Sequence, residues 1–89
     1  MLEPYSETRE GNVIKRSFSK HTEEMDLIWH TDEKDRLIHI NNASGWQFQF
    51  DNETPFELTE GLSFFITKGR IHRVIKGNSD LELTITELD

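Results

Sequence analysis

Four histidines are the residues of this chain best suited to carry chemistry, because cysteine is absent. Imidazole transfers protons near neutral pH and is a common metal ligand. The absence of cysteine excludes disulfides, thiolate zinc sites and a cysteine nucleophile. The sequence has no glycine-rich phosphate loop and no G-x-S-x-G elbow, and the oxygen-rich segment 51–55 lacks the calcium-loop pattern. A site in this chain would therefore be built around histidine. His21 lies in the polar run KHTEE and is expected to be solvated.

Short apolar runs separated by turn residues make up the chain from residue 12 onward, which is typical of an all-β protein. Two runs alternate strictly, so Trp46, Phe48 and Phe50 are predicted to face a core, as are the aliphatic residues after Leu81. No capped helical window occurs, and only 23–27 could hold a helical turn. The predicted strands are Asn12–Phe18, Asp26–His30, Arg36–Ile40, Gly45–Phe50, Phe56–Leu58, Leu62–Ile66, Ile71–Ile75 and Leu81–Leu88.

The length of 89 residues predicts a single domain. Residues 1–11 are polar and are expected to form a flexible arm or an edge strand, and residues 12–89 the folded body. About eight short strands in so small a domain would leave many open edges unless they close into a barrel or a double-sheet jelly roll. We therefore predict a single β-barrel of the jelly-roll type.

The charge balance excludes several classes of partner. The chain has 17 acidic and 10 basic residues and a net charge of −7, so a nucleic-acid backbone or an anionic membrane would repel it. No apolar run approaches the length of about 18 residues that a membrane-spanning helix needs. The first ten residues lack the basic and apolar regions of a signal peptide. We therefore expect a cytoplasmic protein that binds neither nucleic acid nor membrane.

One motif has a recognisable spacing. Gly61, Gly69 and His72 fall in register on the pattern G-x5-P-x-G-x2-H-x3-N, with Thr67 in place of the proline and Lys76 in place of the asparagine. This segment resembles the second motif of the cupins. The glycines suit turns on either side of a strand, where a positive φ is often needed. The resemblance implies a cupin barrel with His72 directed into its interior.

The first cupin motif, G-x5-H-x-H-x3-E-x6-G, is matched only in part. Its best register starts at Glu24 and keeps the family residue at His30 alone. Asp32 stands in place of the second histidine, Arg36 in place of the glutamate and Ala43 in place of the closing glycine. The two motifs together make the chain similar to small single-domain cupins, over about residues 13–88.

The resemblance implies a divalent metal held in the barrel by His30, Asp32 and His72. His30 and Asp32 are two residues apart, so on a strand they share a face. Two imidazoles and a carboxylate suit non-haem iron, with manganese, nickel or zinc as other occupants. A small molecule would be the substrate or ligand. The fold hosts both enzymes and non-enzymes, so the sequence leaves open whether this chain is an enzyme.

Arg36 leaves three alternatives open, because a guanidinium is always charged and cannot ligate a metal. A shift of one residue would place Asp35 in the ligand position and turn Arg36 outward. Alternatively, Arg36 would replace the metal and bind a small anion such as a carboxylate or a phosphate. A pair with Asp32 would instead mark a barrel without a site.

Outside these motif positions, the sequence predicts which side chains lie on the outer surface of the barrel. His39 alternates out of phase with the inward positions of its strand, so it is expected outside the barrel. Small cupins usually pair, and an outward Trp29 would lie on such an interface. We therefore expect a homodimer, to which residues 1–18 could contribute an arm.

Overall fold

A computed structural model describes residues 4–88, and antiparallel strands make up much of this part of the chain. The predicted all-β class is confirmed, because the described residues contain eight strands and only one short 3₁₀ turn, at Glu24–Asp26. Among these residues, no helix has the length and hydropathy to cross a membrane. The strands are β1 (Ser6–Glu10), β2 (Val13–Phe18), β3 (Asp35–Asn42), β4 (Gln47–Phe50), β5 (Phe56–Glu57), β6 (Ser63–Ile66), β7 (His72–Ile75) and β8 (Leu81–Leu88).

The strands form two sheets that share one core. The larger sheet has the order β1-β2-β8-β3-β6, and the smaller one has the order β5-β4-β7. Both sheets are entirely antiparallel in their strand pairs. A buried cluster draws on β2, β3, β6 and β8 of the larger sheet and on β4 of the smaller one. This two-sheet arrangement is the predicted jelly roll.

Strict alternation correctly predicted the core-facing residues of β4 and β8. Trp46, immediately before β4, is completely buried, and its indole N–H donates a hydrogen bond of 2.7 Å to the carbonyl of Ser79. Gly77 packs so closely that a Cβ there would lie 2.3 Å from the backbone nitrogen of Trp46. The other buried residues of these two strands are Phe48, Phe50, Leu81, Leu83 and Ile85.

The predicted strand Asp26–His30 is wrong. The 3₁₀ turn ends at Asp26, the first residue of this segment, and lies within the range where a helical turn was expected. Within the segment only His30 forms a β-bridge. Met25 and Ile28 are 82% and 65% exposed. The segment has strand-like composition, but its backbone has no continuous partner strand, so the propensity of its apolar residues is overridden.

β1 lies at the edge of the larger sheet and falls within the residues predicted as an arm or an edge strand. It pairs with β2 from Ser6↔Ser17 to Glu10↔Val13, and all five of its residues are exposed. The start of the predicted arm, residues 1–3, lies outside the described residues.

Candidate metal centre

His72 is the buried anchor of the site. Gly69 has a φ of +79°, and its turn reverses the chain between β6 and β7 so that His72 opens β7. Only glycine adopts such a conformation without strain from a side chain. The imidazole of His72 is 3% exposed and stacks on the ring of Phe48 at a centroid distance of 5.3 Å. The turn and the packing therefore fix the ring inside the barrel.

His30 is brought to His72 by the backbone. The two residues form an isolated antiparallel bridge, in which each backbone N–H donates to the other's carbonyl at 3.0 Å. Residues directly opposite in such a bridge place their side chains on the same face. The two imidazole centroids lie 4.3 Å apart.

Asp32 completes the group. Its carbonyl accepts a hydrogen bond of 2.9 Å from the backbone N–H of Gly69, so the turn before β7 also holds this residue. Its Oδ2 lies 3.2 Å from Nε2 of His72. One ligand atom from each of His30, Asp32 and His72 lies within 4.8 Å of the others. The structure thus brings together the three residues that the sequence predicted as ligands.

The hydrogen bonds of the two imidazoles determine which ring nitrogen of each carries the proton. Nδ1 of His72 lies 2.7 Å from the carbonyl of Arg70, and Nδ1 of His30 lies 3.0 Å from the carbonyl of Ile28. A carbonyl only accepts, so each Nδ1 carries the proton and each Nε2 of a neutral ring has a free lone pair. Asp32 Oδ2 is buried and makes no hydrogen bond of proper geometry. Three electron-pair donors therefore lie within 4.8 Å of one another, which is compatible with a bound cation.

Arg36 faces the same interior and is paired with carboxylates. It lies opposite Ile66 and Glu87 in the larger sheet. Its Nη1 donates to Asp32 Oδ1 at 3.1 Å and its Nη2 donates to Glu87 Oε2 at 2.8 Å, whereas its Nε is buried without a partner. The shift that would make Asp35 a ligand is absent, because Asp35 Oδ1 accepts a hydrogen bond from the backbone of Lys68.

Sequence reasoning missed Glu87 and Arg9. Glu87 accepts from Arg36 through one oxygen and from Arg9 through the other, at 2.9 Å. We call the series Arg9, Glu87, Arg36 and Asp32 the charge chain. The alternation of β8 held the signal for Glu87, because one more step from Leu83 and Ile85 reaches residue 87 on the same face.

The environment favours a deprotonated site. Burial would raise the pKa of Asp32, but a hydrogen bond that His72 donates when its ring is protonated, together with the charge of Arg36, outweighs burial and holds the pKa below its ordinary value. Desolvation lowers the pKa of His30, with a further contribution from the neighbouring His72. Both shifts favour the forms that ligate a metal, a carboxylate and a neutral imidazole.

The remaining residues singled out by the sequence lie away from the group. His21 and His39 are exposed, and Nδ1 of His39 contacts the hydroxyl of Ser63 at 2.8 Å. Trp29 is 40% exposed, and the guanidinium of Arg73 lies 4.4 Å from its ring centroid.

The group lies at the wall of a cavity of about 340 Å³ inside the barrel. Both sheets contribute to its lining, through side chains such as Ile38 and Leu83 from one and Phe48 and Val74 from the other. Space for a small molecule therefore adjoins the three converging donors.

Comparison with known proteins identifies the fold. No protein-family model matches the chain, and no curated protein sequence matches it. Solved structures match over nearly its whole length. A cupin domain from Bordetella pertussis Tohama I superposes with a TM-score of 0.66 at 16% identity, covering 100% of this chain and 99% of that one. A cupin-2 domain-containing protein from Shewanella frigidimarina NCIMB 400 gives 0.66 at 16% identity, covering 99% of this chain and 85% of that one.

A third similar structure is a metalloprotein. HppE, solved in its iron(II) form in complex with substrate, superposes with a TM-score of 0.69 at 12% identity. The match covers 99% of this chain and 55% of HppE. At such identities the likeness establishes the fold alone. Together with the two facing antiparallel sheets, it shows that this chain is a small cupin-fold domain.

Proposed function

We propose that the barrel binds a divalent first-row transition metal through His30 Nε2, Asp32 Oδ2 and His72 Nε2, and that it acts on a small molecule held in the cavity. One observation carries the proposal. Two imidazole lone pairs and a buried carboxylate oxygen without a hydrogen bond converge within 4.8 Å. Without a proton or a cation between them, these atoms would repel one another.

Two imidazoles and one carboxylate suit non-haem iron(II), and manganese, nickel and zinc accept the same ligands. Three protein ligands leave coordination positions for a substrate or for water. When bound, such a metal supplies a Lewis acid, and iron also supplies redox chemistry. The iron(II) form of HppE is a cupin-fold neighbour with a metal and a substrate. Iron(II) is therefore the first metal to test.

Within this proposal Arg36 acts as a positioning residue. Its Nη1 holds Oδ1 of Asp32, which leaves Oδ2 for the metal. The positive charge of Arg36 is balanced by Asp32 on one side and Glu87 on the other, so its repulsion of a dication is reduced. A charged residue thus takes the place of a ligand, and its carboxylate partners reduce its repulsion of the metal.

A metal-free site for a small anion is the second candidate, and the buried Nε of Arg36 favours it. Both terminal nitrogens of Arg36 are already occupied by carboxylates, so an anion would have to displace one of them. Loss of carboxylate or phosphate binding in Arg36→Ala, with no metal uptake by the wild type, would support this candidate.

The experiment is metal analysis of protein purified without chelators or added metal, followed by calorimetric titration with iron(II), manganese, nickel and zinc. We expect one equivalent of metal per chain. Asp32→Asn and His72→Ala should abolish uptake, while the control His39→Ala should leave it unchanged because His39 lies outside the cavity. Absence of metal in the purified protein and absence of uptake on titration would contradict the proposal. Equal effects of His72→Ala and His39→Ala would also contradict it.

We also propose that the chain forms a homodimer. Leu37 and Phe65 are opposite residues of β3 and β6, and they are 42% and 45% exposed. Trp29 is another exposed apolar side chain. Exposed apolar groups of this kind often mark an interface. Light scattering at tens of micromolar should give twice the mass of the chain, and the mass of one chain would contradict this proposal.

A further inference from the structure

The cavity has two chemically distinct parts. One part, here called the apolar wall, is formed by buried aliphatic side chains of both sheets and the connecting segments. A cavity walled in this way has almost no partners for a polar molecule. The residues of the apolar wall are Ile38, Ile40, Leu58, Ile66, Leu83 and Ile85.

The other part, here called the polar pole, comprises His30, Asp32, Arg36 and His72. The two terminal nitrogens of Arg36 are already paired, one with Asp32 and the other with Glu87. A further cavity-lining cation, Arg16, is paired with Glu7 at 2.8 Å and lies over the ring of Tyr5. The bound metal would therefore be the centre at the polar pole that remains open to an anionic ligand.

The size of the cavity sets the size of the ligand. A volume of about 340 Å³ lies at the lower end of the range of about 300–1,000 Å³ found for small-molecule pockets, so the cavity suits a small ligand. A domain of 89 residues has a small hydrophobic core. If an aliphatic cavity of this size stays empty, the side chains that line it lose packing contacts. The lining is apolar and inside the barrel, so an apolar ligand would restore those contacts.

We infer that the cavity takes a small amphipathic monoanion, with an apolar body and one anionic head. The body lies against the apolar wall, and a carboxylate or similar anionic oxygen at one end ligates the metal at the polar pole. The position of this head rests on the proposed metal centre. A second charge at the other end would weaken binding, because it would face the apolar wall without a partner.

The test uses octanoate and adipate, two carboxylates of equal size, titrated calorimetrically into nickel-loaded and metal-free protein. Octanoate has one charged end and adipate has two. Octanoate should bind the loaded protein at least about tenfold more tightly than adipate, because adipate must bury its second carboxylate. Octanoate should also bind the loaded protein more tightly than the metal-free protein. Equal affinity for octanoate and adipate would overturn the inference.

A matched pair of substitutions locates the body of the ligand. Leu83 belongs to the apolar wall, two inward positions along β8 from Glu87, whereas Leu37 is outward on β3. Leu83→Phe should fill part of the cavity and weaken octanoate binding at least about tenfold. Leu37→Phe should change it little. If Leu83→Phe has no greater effect than Leu37→Phe, the assigned position of the body is overturned.

Nickel titration without octanoate separates the two proposals. Unchanged nickel affinity in Leu83→Phe would show that the variant is folded and that only the ligand site is altered. If it fails to fold, the comparison of octanoate with adipate on the wild type decides the inference without any variant. Nickel binding with no preference for octanoate would overturn this inference and leave the metal centre intact. Octanoate binding without nickel uptake would overturn the metal centre and the metal-bound head.

Discussion

Two segments furnish the candidate site, and they differ in how they are built. The second segment, 61–76, is a strand, a glycine turn and a further strand, and its histidine is 3% exposed. The first segment, 24–36, is irregular until β3 begins, and its Met25 is 82% exposed. The first segment is held largely by the second, through the His30–His72 bridge and the hydrogen bond from Gly69 to Asp32. One segment is a scaffold, and the other attaches to it.

This difference explains why the two segments match their family motifs unequally. A tight turn with a positive φ at Gly69 restricts the residue type at that position, so its spacing is visible in the sequence. The first segment is positioned by backbone hydrogen bonds, which any residue other than proline can make. The residues of the first segment can therefore differ from the family motif while its backbone keeps the same path beside the site.

Removal of the two histidines should show the contrast most strongly. In metal-free protein, His72→Ala should lower the free energy of unfolding by about 3 kcal/mol, because it leaves a cavity beside Phe48. His30→Ala should cost under about 1 kcal/mol, because His30 is exposed at the edge of the group. Urea unfolding measures both. A larger loss for His30→Ala would mean that the first segment is also a scaffold.

Neutralising Glu87 should weaken metal binding through Arg36. Without Glu87, Arg36 is free to pair with both oxygens of Asp32 and to withdraw Oδ2 from the metal. Such changes behind a ligand typically cost about 10- to 100-fold in metal affinity. Calorimetry of Glu87→Gln measures the loss, with Glu82→Gln on the exposed face of β8 as the control. If the two variants bind the metal with equal affinity, the charge chain has no influence on metal binding.

Two glycine substitutions should distinguish backbone strain from support of the site. Gly69 and Gly11 both have a positive φ, and a Cβ at either would meet nothing within 4 Å. Gly69→Ala and Gly11→Ala should each destabilise the protein by about 1 kcal/mol in thermal unfolding. Only Gly69→Ala should also weaken metal binding, because strain in its turn would displace the backbone N–H that holds Asp32. An equal effect of both on metal affinity would show that Asp32 is held by other contacts.

The smallest effect should come from the protonation of His30. Its pKa is lowered in the folded protein, so the unfolded chain binds the proton more readily. The folded protein therefore has its full stability above the ordinary pKa of 6.5. It loses part of that stability as the pH falls from 6.5 through the lower pKa that His30 has in the folded protein. Replacing His30 with Gln should therefore reduce the loss of stability as the pH falls below 6.5. Metal-free protein unfolded in urea at each pH tests this. An unchanged slope would contradict the assignment to His30.

Much of the fold could be predicted because half-buried strands leave a pattern. Alternation placed Phe48 and Phe50 on the core face, and the prediction was confirmed. Asp26–His30 was predicted wrongly because composition alone cannot show whether a partner strand is available. Ile28 and Trp29 resemble strand residues, yet most of Ile28 faces solvent.

The candidate site was predictable where its positions follow from local geometry. His72 and Gly69 are three residues apart, and their spacing carries the signal. The role of Arg36 depends on Glu87, which is 51 residues away and becomes its neighbour only when β3 pairs with β8. The sequence therefore left the alternatives for Arg36 open, and the pairing of the strands gives its partners.

Because the charge chain includes Arg9 of β1, deletion of this strand would affect the candidate site. Arg9 belongs to an exposed edge strand, and removal of that strand would leave the shared core in place. The same removal would leave Glu87 with one partner instead of two and would change the electrostatic environment of Asp32. The smallest fragment that folds is therefore expected to be shorter than the smallest fragment that functions.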